Sequence, residues 1–402
     1  MKDIKDLKPN DIVYSCKWIE RGLCPQIWGI TCCCHATMSS PTLVTTEEIQ
    51  SGKVDYDLIV QRKQELFERI NGFREYETDK KENCKNTVNL GENCRNCANL
   101  YKTEYRNVNF EYVGGLNLGS TLNIQHYTQC NERCSYCCYA KDGQMVPPQY
   151  DILKIFDLFK NKGKLLKDGF IDFSGGEPAA LKDIDKILSY FDENQMGHIA
   201  LYSNASIYNP NFTKLLKDGK MSLITSLDTG LKSTYAKVRG ADLFENVIEN
   251  IIKYRNSGTD KLYLKYVITE NNRTDDDMWS FILAMLAFRP NLVMICPDFP
   301  YGDREIPDET VKFAAKLWYY IEKYLGNVAH DFSYLAGDRK FVKYRKDLAR
   351  ELDILRKQNP ICEETRLKPY HYPTCTKKKI NVKQKLKKLK TIIHLKYTEL
   401  FD

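Results

Sequence analysis

Short apolar runs alternate with amphipathic stretches along the middle of the chain. Apolar and β-branched runs predict six strands, at residues 117–127, 169–174, 197–203, 221–227, 261–268 and 291–296. Between them, apolar residues recur at intervals of three and four, which predicts helices, as in 150–162, 181–195 and 241–256. Strands that alternate with helices form parallel βαβ units. A closed barrel needs eight strands, so six predict an α/β fold with a partial (βα)6 TIM-like barrel.

The two ends of the chain depart from this pattern. Residues 1–112 are rich in cysteine and contain one clear helical stretch, at 55–72. They predict a small Cys-rich domain ahead of a barrel at 113–330. Residues 331–402 predict a C-terminal helical extension that ends in a basic amphipathic tail.

The 15 cysteines are many for a chain of 402 residues. The N-terminus lacks the apolar core of a secretion signal, and no run of 18 uncharged apolar residues predicts a membrane span. We therefore expect a cytoplasmic protein, in which reduced thiols bind metal more often than they form disulfides. Cysteines that crowd together, as in the consecutive set Cys32–Cys34, suit metal clusters better than disulfides.

The net charge of +7 lies in the tail. Residues 377–402 contain nine lysines, with Glu399 and Asp402 as the acidic side chains. The rest of the chain is neutral, so nucleic acid is not an expected partner. Apolar residues of the tail share one side of a predicted helix, at Val382, Leu386, Leu389 and Ile393. Such a helix predicts peripheral contact with an anionic membrane surface, binding to an acidic partner, or packing on the barrel.

Three cysteines with the spacing C-x3-C-x2-C follow the first predicted strand, at Cys130, Cys134 and Cys137. Three thiolates suit three irons of a four-iron cluster and leave the fourth iron open to a ligand. Cys138 is a possible fourth ligand, although adjacent cysteines in a short loop point in different directions. The spacing alone also leaves open a zinc site or buried free thiols.

With Tyr136 at the aromatic position before the last cysteine, this motif resembles the signature of the radical S-adenosylmethionine (radical SAM) superfamily. The resemblance implies that Tyr136 lies near the adenine. A second match after the next predicted strand resembles the GGEP motif of that family, whose backbone and acidic side chain receive the methionine amino group. It comprises Gly175, Gly176, Glu177 and Pro178. Glycine suits this role because the backbone must approach the ligand closely.

Further matches end the third and fourth predicted strands. Ser203 and Asn204 occupy positions where the family contacts the ribose or the carboxylate. Ser226 and Asp228, with Arg239 downstream, resemble the "SLDG … RG" pattern of the peptide-maturase branch. This resemblance implies that Asp228 contacts the ribose and that Arg239 contacts the cofactor carboxylate.

The resemblance also implies a mechanism. A reduced [4Fe-4S] cluster passes one electron to S-adenosylmethionine, which yields methionine and a 5′-deoxyadenosyl radical, and the radical abstracts a substrate hydrogen. The protein supplies binding, orientation and exclusion of water. An external one-electron reductant of the flavodoxin or ferredoxin type is then an expected partner.

The N-terminal cysteines predict a second metal site. A C-x12-G-x4-C element resembles the start of the auxiliary-cluster region called SPASM, here placed ahead of the barrel. The arrangement is similar to a branch of radical SAM proteins found beside bacterial surface-glycan genes. A second [4Fe-4S] cluster, or a structural zinc ion, would take its ligands from Cys16, Cys33 or Cys34, Cys94 and Cys97, with Cys24, Cys32 and Cys84 as alternatives.

Three hypotheses for function follow. The first is a radical SAM enzyme that acts on a carbohydrate or glycan precursor. The second is a radical SAM peptide maturase, which forms a crosslink or oxidises a side chain. The third is a zinc-binding or cluster-binding protein without catalysis. Cys362 and Cys375 receive no role, and His126 is expected to pack in the core.

Overall fold

The computed structural model of the protein describes residues 4–33, 41–72, 94, 97, 99–115, 122–141, 143, 145–298, 305–331 and 341–362. Four features from the sequence lie outside the described residues, namely Cys34, Cys84, Cys375 and the tail 377–402. The chain divides into two compact units. The first comprises Met1–Asn131 and Asp142–Tyr202, and the second comprises Glu132–Lys141 and Ser203–Asp402.

The strands within the described residues are β1 (Ile12–Ser15), β2 (Cys24–Gln26), β3 (Gly29–Thr31), β4 (Thr42–Thr45), β5 (Tyr101–Glu104), β6 (Val113–Gly114), β7 (Leu122–Ile124), β8 (Leu165–Leu166), β9 (Gly169–Phe173), β10 (Gly197–Tyr202), β11 (Met221–Ser226), β12 (Leu262–Ile268), β13 (Leu292–Pro297) and β14 (Ala329–Asp331). The helices there are α1 (Lys17–Arg21), α2 (Thr46–Gln50), α3 (Tyr56–Ile70), α4 (Cys138–Lys141), α5 (Ile152–Lys160), α6 (Ile184–Glu193), α7 (Pro210–Lys217), α8 (Lys232–Arg239), α9 (Phe244–Arg255), α10 (Asp275–Phe288), α11 (Asp308–Leu325) and α12 (Phe341–Gln358). Of these helices, none combines the length and apolar character that crossing a membrane requires.

Within the described residues, the barrel strands of each unit run parallel. In the first unit β9 lies between β7 and β10, and in the second unit the order is β11, β12, β13 and β14. All six predicted strands are present, and helices alternate with them. The α/β class and the partial TIM-like barrel are therefore confirmed, with β14 as an additional strand.

The cysteine-rich part of the first unit is bonded to β7, where Leu23 forms a bridge with Leu122. β2, β3 and β4 form an antiparallel sheet, and the Gln125 N–H donates to the Pro25 carbonyl at 2.8 Å. The Tyr150 hydroxyl donates to the carbonyl oxygens of Gln26 and Gly29, at 2.7 and 3.0 Å. Residues near the cysteines thus share one packed unit with the start of the barrel, while the domain boundaries at residues 112 and 330 stay predictions.

Helix α5 illustrates how the amphipathic pattern packs a helix into the core of this unit. Asp151 caps its N-terminus by accepting the Leu153 N–H at 2.9 Å. The apolar side chains of the helix are buried at intervals of three and four, and Phe156 meets Phe191 of α6 edge to face, with ring centroids 5.8 Å apart. Such packing holds the helices against the strands that carry the motifs.

We predict that Phe156→Ala lowers the free energy of unfolding by about 3–5 kcal/mol, because it leaves a cavity in a close-packed core. Urea denaturation of the two proteins measures the difference. The exposed Lys154 on the same helix provides the control, and Lys154→Ala should change stability by about 0.5 kcal/mol or less. Equal effects of the two substitutions would contradict the assigned face of α5.

Candidate cofactor site

In the first unit, the GGEP segment is bonded to the chain that leads from β7 to the first predicted cluster ligand. The Gly176 N–H donates to the Tyr127 carbonyl at 3.3 Å, and the Glu177 N–H donates to the Gln129 carbonyl at 2.9 Å. Cys130 is the next residue along the chain. The backbone of one predicted cofactor motif therefore fixes the approach to the other.

Two glycines make this contact possible. Gly175 has a φ of +115°, which side-chain-bearing residues rarely adopt. A Cβ atom on Gly176 would lie 1.9 Å from the Gln129 carbonyl oxygen. Glycine at these positions is therefore required for the two segments to dock, in addition to the close approach of a ligand that the sequence suggested.

Glu177 is buried at the start of a short turn. Its Oε1 accepts the Ala179 N–H at 3.0 Å, and Pro178, also buried, begins a 3-10 turn that ends at Ala180. This bond fixes the position of the carboxylate beside the crowded glycines. The role of Glu177 in receiving an amino group stays a prediction.

In the second unit, Cys137, the last cysteine of the motif, directly precedes helix α4, and Cys138 begins that helix. The pKa of Cys137 is lowered to about 6, chiefly by a hydrogen bond from the Cys138 side chain. Burial opposes this shift, and the N–H groups of Ala140 and Tyr139 add to it. A thiol that ionises readily is a suitable iron ligand, so the donor chemistry of this loop fits a cluster. Cys134, like Cys137, is half-buried.

A buried ion pair lies beside these cysteines. Arg239 donates from Nε and Nη2 to Glu132 Oε2, at 2.9 and 2.6 Å. The Tyr235 hydroxyl donates to Glu132 Oε1 at 2.5 Å, and Cys134 Sγ lies 3.8 Å from Oε2. Glu132 is 1% exposed and Arg239 is 5% exposed. Both charges are thus removed from water and satisfied within the protein.

The same guanidinium reaches the end of β11. Arg239 Nη1 donates to Asp228 Oδ2 at 3.1 Å and also contacts the Tyr136 hydroxyl, which itself donates to Asp228 Oδ2 at 2.7 Å. Asp228 has a φ of +63°. The Val267 N–H donates to its Oδ1 at 2.8 Å, and Asn272 Nδ2 donates to its carbonyl at 2.9 Å. Three predicted cofactor residues therefore meet in one network.

The backbone of the cysteine loop is also bonded to α8. The Arg133 N–H donates to the Arg239 carbonyl at 3.0 Å, and the Ser135 N–H donates to the Val238 carbonyl at 2.8 Å. Gly240 has a φ of +66°, and a Cβ atom there would lie 2.4 Å from the Arg133 carbonyl oxygen. The Arg-Gly pair therefore supports the loop with both side chain and backbone.

The remaining predicted cofactor residues lie at the ends of β10 and β11. Ser203 and Asn204 are buried; Ser203 Oγ accepts the Ala205 N–H at 3.0 Å, and Asn204 Oδ1 accepts the Ser206 N–H at 2.9 Å. Ser226 is half-buried as the last residue of β11. The proposed contacts of these residues with the cofactor stay predictions.

A polar pair that the sequence motifs did not indicate lies on neighbouring strands of the first unit. Asn123 of β7 and Asp172 of β9 are partners in register, and the amide donates to the carboxyl group. Oδ1 of each side chain lacks a hydrogen-bond partner among the described residues. Just after the ends of both strands, Gln125 Nε2 donates to Ser174 Oγ at 3.0 Å. We call these four residues the polar ladder.

Burial raises the pKa of Asp172 to about 7, although the bond from Asn123 opposes the rise. The sequence offered a signal for this site, because a charged residue interrupts an otherwise apolar strand at a position that faces one side of the sheet. Glu132 offered a similar signal, as a carboxylate between two predicted cluster ligands.

The N-terminal cysteines lie near one another in the first unit. Cys16 caps the N-terminus of α1, where its Sγ accepts the Ile19 N–H at 3.4 Å. Burial raises the pKa of Cys16 and of Cys94 to about 12, and the neighbouring thiols, including Cys33 and Cys97, add to both shifts. In the part of the chain that the structure describes, no three Cys, His, Asp or Glu side chains stand close enough to hold a metal ion.

Residues 124–282 match the family model described as the radical SAM superfamily. The GTP 3′,8-cyclase of Clostridium botulinum (strain Okra / Type B1) is 30% identical over 159 residues, which cover 39% of this chain and 49% of that protein. The GTP 3′,8-cyclase 2 of Pseudomonas aeruginosa is 25% identical over 184 residues, with 45% and 54% covered. The chain spans about half the length of these relatives. The family uses a [4Fe-4S] cluster and S-adenosylmethionine, the two cofactors predicted from the sequence.

Two solved structures resemble the chain at low identity. Streptococcus suis SuiB bound to S-adenosylmethionine is 15% identical, with a TM-score of 0.45, and the match covers 56% of this chain and 52% of that one. Native anSMEcpe with bound AdoMet and Cp18Cys peptide is 17% identical, with a TM-score of 0.42 and coverage of 52% and 62%. These values are too low to transfer a function.

We predict that Glu132→Gln lowers the free energy of unfolding by about 3 kcal/mol or more, because it leaves the buried Arg239 charge without its main partner. Chemical denaturation of the metal-free protein measures this loss. Glu245 forms an exposed pair with Lys232, so Glu245→Gln is the matched control and should cost about 1 kcal/mol at most. Similar losses in both variants would show that burial of the pair has little energetic consequence.

We also predict a pH-dependent effect of Asp172→Asn. Because the folded pKa lies near 7 and the ordinary value is 3.8, the unfolded chain releases its proton first as pH rises. Wild-type stability should therefore fall relative to the variant between pH 4 and pH 7 and then level off, by up to about 4 kcal/mol. Urea titrations across this range measure the difference, with the exposed Asp260→Asn as control. A constant difference from pH 4 to pH 8 would rule out a raised pKa.

Proposed function

We infer that this chain belongs to the radical SAM superfamily, and we propose that it cleaves S-adenosylmethionine reductively and abstracts a hydrogen atom from a carbohydrate or glycan precursor. The observation that carries the proposal is the docking of the GGEP segment on the chain that leads to Cys130, through the N–H groups of Gly176 and Glu177. When bound, the reduced cluster supplies one electron to the sulfonium, which gives methionine and a 5′-deoxyadenosyl radical.

Residues of the chain would hold the cluster and bind the cofactor. Cys130, Cys134 and Cys137 would hold three irons of the cluster. In the GGEP segment, crowded glycines keep the backbone open to the methionine end of the cofactor, and the carboxylate of Glu177 would accept its amino group. Tyr136 would lie near the adenine, oriented by its bond to Asp228.

The polar ladder supports a substrate rich in hydroxyl groups. Asn123 and Asp172 each present an oxygen without a hydrogen-bond partner among the described residues. Such acceptors suit sugar hydroxyls, since a buried polar atom without a partner is costly. The N-terminal cysteine pattern, similar to proteins found beside surface-glycan genes, favours the same class.

The peptide-maturase hypothesis receives less support. It relied on the "SLDG … RG" likeness, but Asp228 and Arg239 bond to each other, and Gly240 lies against the cysteine loop. These contacts account for the pattern without a peptide. The curated relatives are GTP 3′,8-cyclases by name, so GTP belongs among the substrates to be tried.

We further propose that the N-terminal cysteines hold a second [4Fe-4S] cluster, with a structural zinc ion as the competing possibility. A second cluster would accept the electron left on a substrate radical, or would organise the fold. An external flavodoxin-type or ferredoxin-type protein would supply the electron for the first cluster. Contact of residues 377–402 with a membrane surface stays a prediction.

The first test is cleavage of the cofactor. After anaerobic reconstitution, the protein should hold about eight irons and release 5′-deoxyadenosine when it receives dithionite and S-adenosylmethionine. A variant with Cys130, Cys134 and Cys137 replaced by Ala should lose the release and keep about four irons. The exposed Cys362 gives the matched control, and Cys362→Ala should behave as wild type.

Continued release by the triple variant would refute the assignment of the cluster. The substrate class is tested with UDP-N-acetylglucosamine, GTP and a cysteine-containing peptide as probes. Faster release of 5′-deoxyadenosine with the nucleotide sugar alone is the expected result. Stimulation by GTP or by the peptide instead would contradict the carbohydrate class but not the cleavage of S-adenosylmethionine.

A further inference from the structure

Lys63 places a positive charge in the interior of the first unit. The residue lies on α3 and is fully buried. Its Nζ atom has no hydrogen-bond partner within the described residues. It lies above the Phe159 ring, whose centroid is 6.0 Å away, at the outer limit of a cation–π interaction. A buried ammonium without an anion is expensive, so this position calls for a negative partner.

A second cation lies on the neighbouring helix α1. Arg21 has a buried Nη1 atom that also lacks a hydrogen-bond partner in the described part of the chain. Its guanidinium stacks on Tyr112 at 4.9 Å. Arg21 and Lys63 are near enough for their charges to interact unfavourably. Two like charges near each other, one of them fully buried, strengthen the need for a compensating anion.

Helix α3 packs against α1 and β4, and cysteines in this region interact electrostatically with Lys63. The charges that would stabilise it belong to Cys32, Cys24 and Cys16. Cys24 is fully buried and Cys32 is 1% exposed. Thr31 connects this set to the next cysteine, because its hydroxyl contacts the carbonyl oxygens of both Cys24 and Cys33, at 3.3 and 2.9 Å.

We propose that Lys63 and Arg21 are the charge-compensating residues of a thiolate-bound metal centre formed by the N-terminal cysteines. This proposal rests on the second centre proposed above. Neutral thiols offer these cations no anion, whereas thiolates that bind a metal carry net negative charge, both in a [4Fe-4S] cluster and in a zinc site with four thiolate ligands. Metal binding would thus provide the negative charge that neutral thiols do not carry.

The proposal predicts opposite effects of one substitution in two states of the protein. The experiment uses the full chain with Cys130, Cys134 and Cys137 replaced by Ala, so that only the N-terminal centre binds metal. In this background Lys63→Met keeps the side-chain length and removes the charge. The exposed Lys214 on α7 provides the control, as Lys214→Met. Melting temperatures are measured for metal-free protein and for protein loaded with iron and sulfide or with zinc.

Lys63→Met should raise the melting temperature of the metal-free protein, because it removes a buried charge without a partner. It should also reduce the increase in melting temperature on metal loading by about 3 °C or more. Arg21→Met, on a different helix, should act in the same direction, which keeps the test valid if one variant fails to fold. Lys214→Met should alter neither value.

A redox measurement gives an independent readout. If the loaded metal is a [4Fe-4S] cluster, Lys63→Met should shift its midpoint potential to a more negative value in an anaerobic titration followed by electron paramagnetic resonance. The shift is expected because reduction adds negative charge that Lys63 stabilises. A zinc ion has no such redox transition, so the melting temperature is the measurement for zinc-loaded protein.

Three results would overturn the proposal. A lower melting temperature of metal-free Lys63→Met protein would show that the ammonium already has a stabilising partner. An increase on metal loading equal to that of Lys214→Met would exclude the charge role while leaving the metal centre intact. Absence of bound metal in the triple-Ala background would refute the second centre itself, together with the role of these cations.

Discussion

The buried ion pair between Arg239 and Glu132 is the interaction on which the second-unit part of the cofactor site depends. It joins a helix end to the loop between two predicted cluster ligands, and the same guanidinium extends to Asp228 at the end of β11. Because both charges are buried, loss of either partner leaves the other uncompensated. The loop, the helix and the strand end are therefore held in one arrangement before any cofactor binds, which is the kind of preorganisation that a redox site requires.

On each side of the cysteine motif, a glycine packs closely against a backbone carbonyl. Gly176 lies against the carbonyl of Gln129, just before Cys130, and Gly240 lies against the carbonyl of Arg133. Both contacts exclude a Cβ atom. Motifs that signal ligand binding in the sequence therefore also shape the loop that carries the thiols, and a substitution at either glycine would disturb the ligands through the backbone.

Local sequence patterns predicted the strands well and the contacts of the site poorly. Six buried parallel strands were visible as apolar runs, whereas β14 was missed because it has three residues, two of them polar, in Ala329–Asp331. The cysteine spacing and the glycines were found because their constraints are local. Glu132 was missed because its partner lies 107 positions along the chain, and Asn123 and Asp172 were missed because their pairing depends on strand register. The cofactor contacts proposed for Arg239 and Asp228 are untested, and the structure adds that the two side chains bond to each other.

The two units place different groups beside buried positive charge, and the choice of groups bears on what each unit binds. Around Arg239 the protein provides two carboxylates, so the charge is balanced in the protein alone. Near Lys63 it provides thiols, which carry negative charge only after deprotonation. A protein that needed these cations solely for stability would gain more from an acidic partner or from an apolar replacement. Thiols near these cations fit our proposal that a metal takes up the thiolates and so provides the negative charge that balances Lys63 and Arg21.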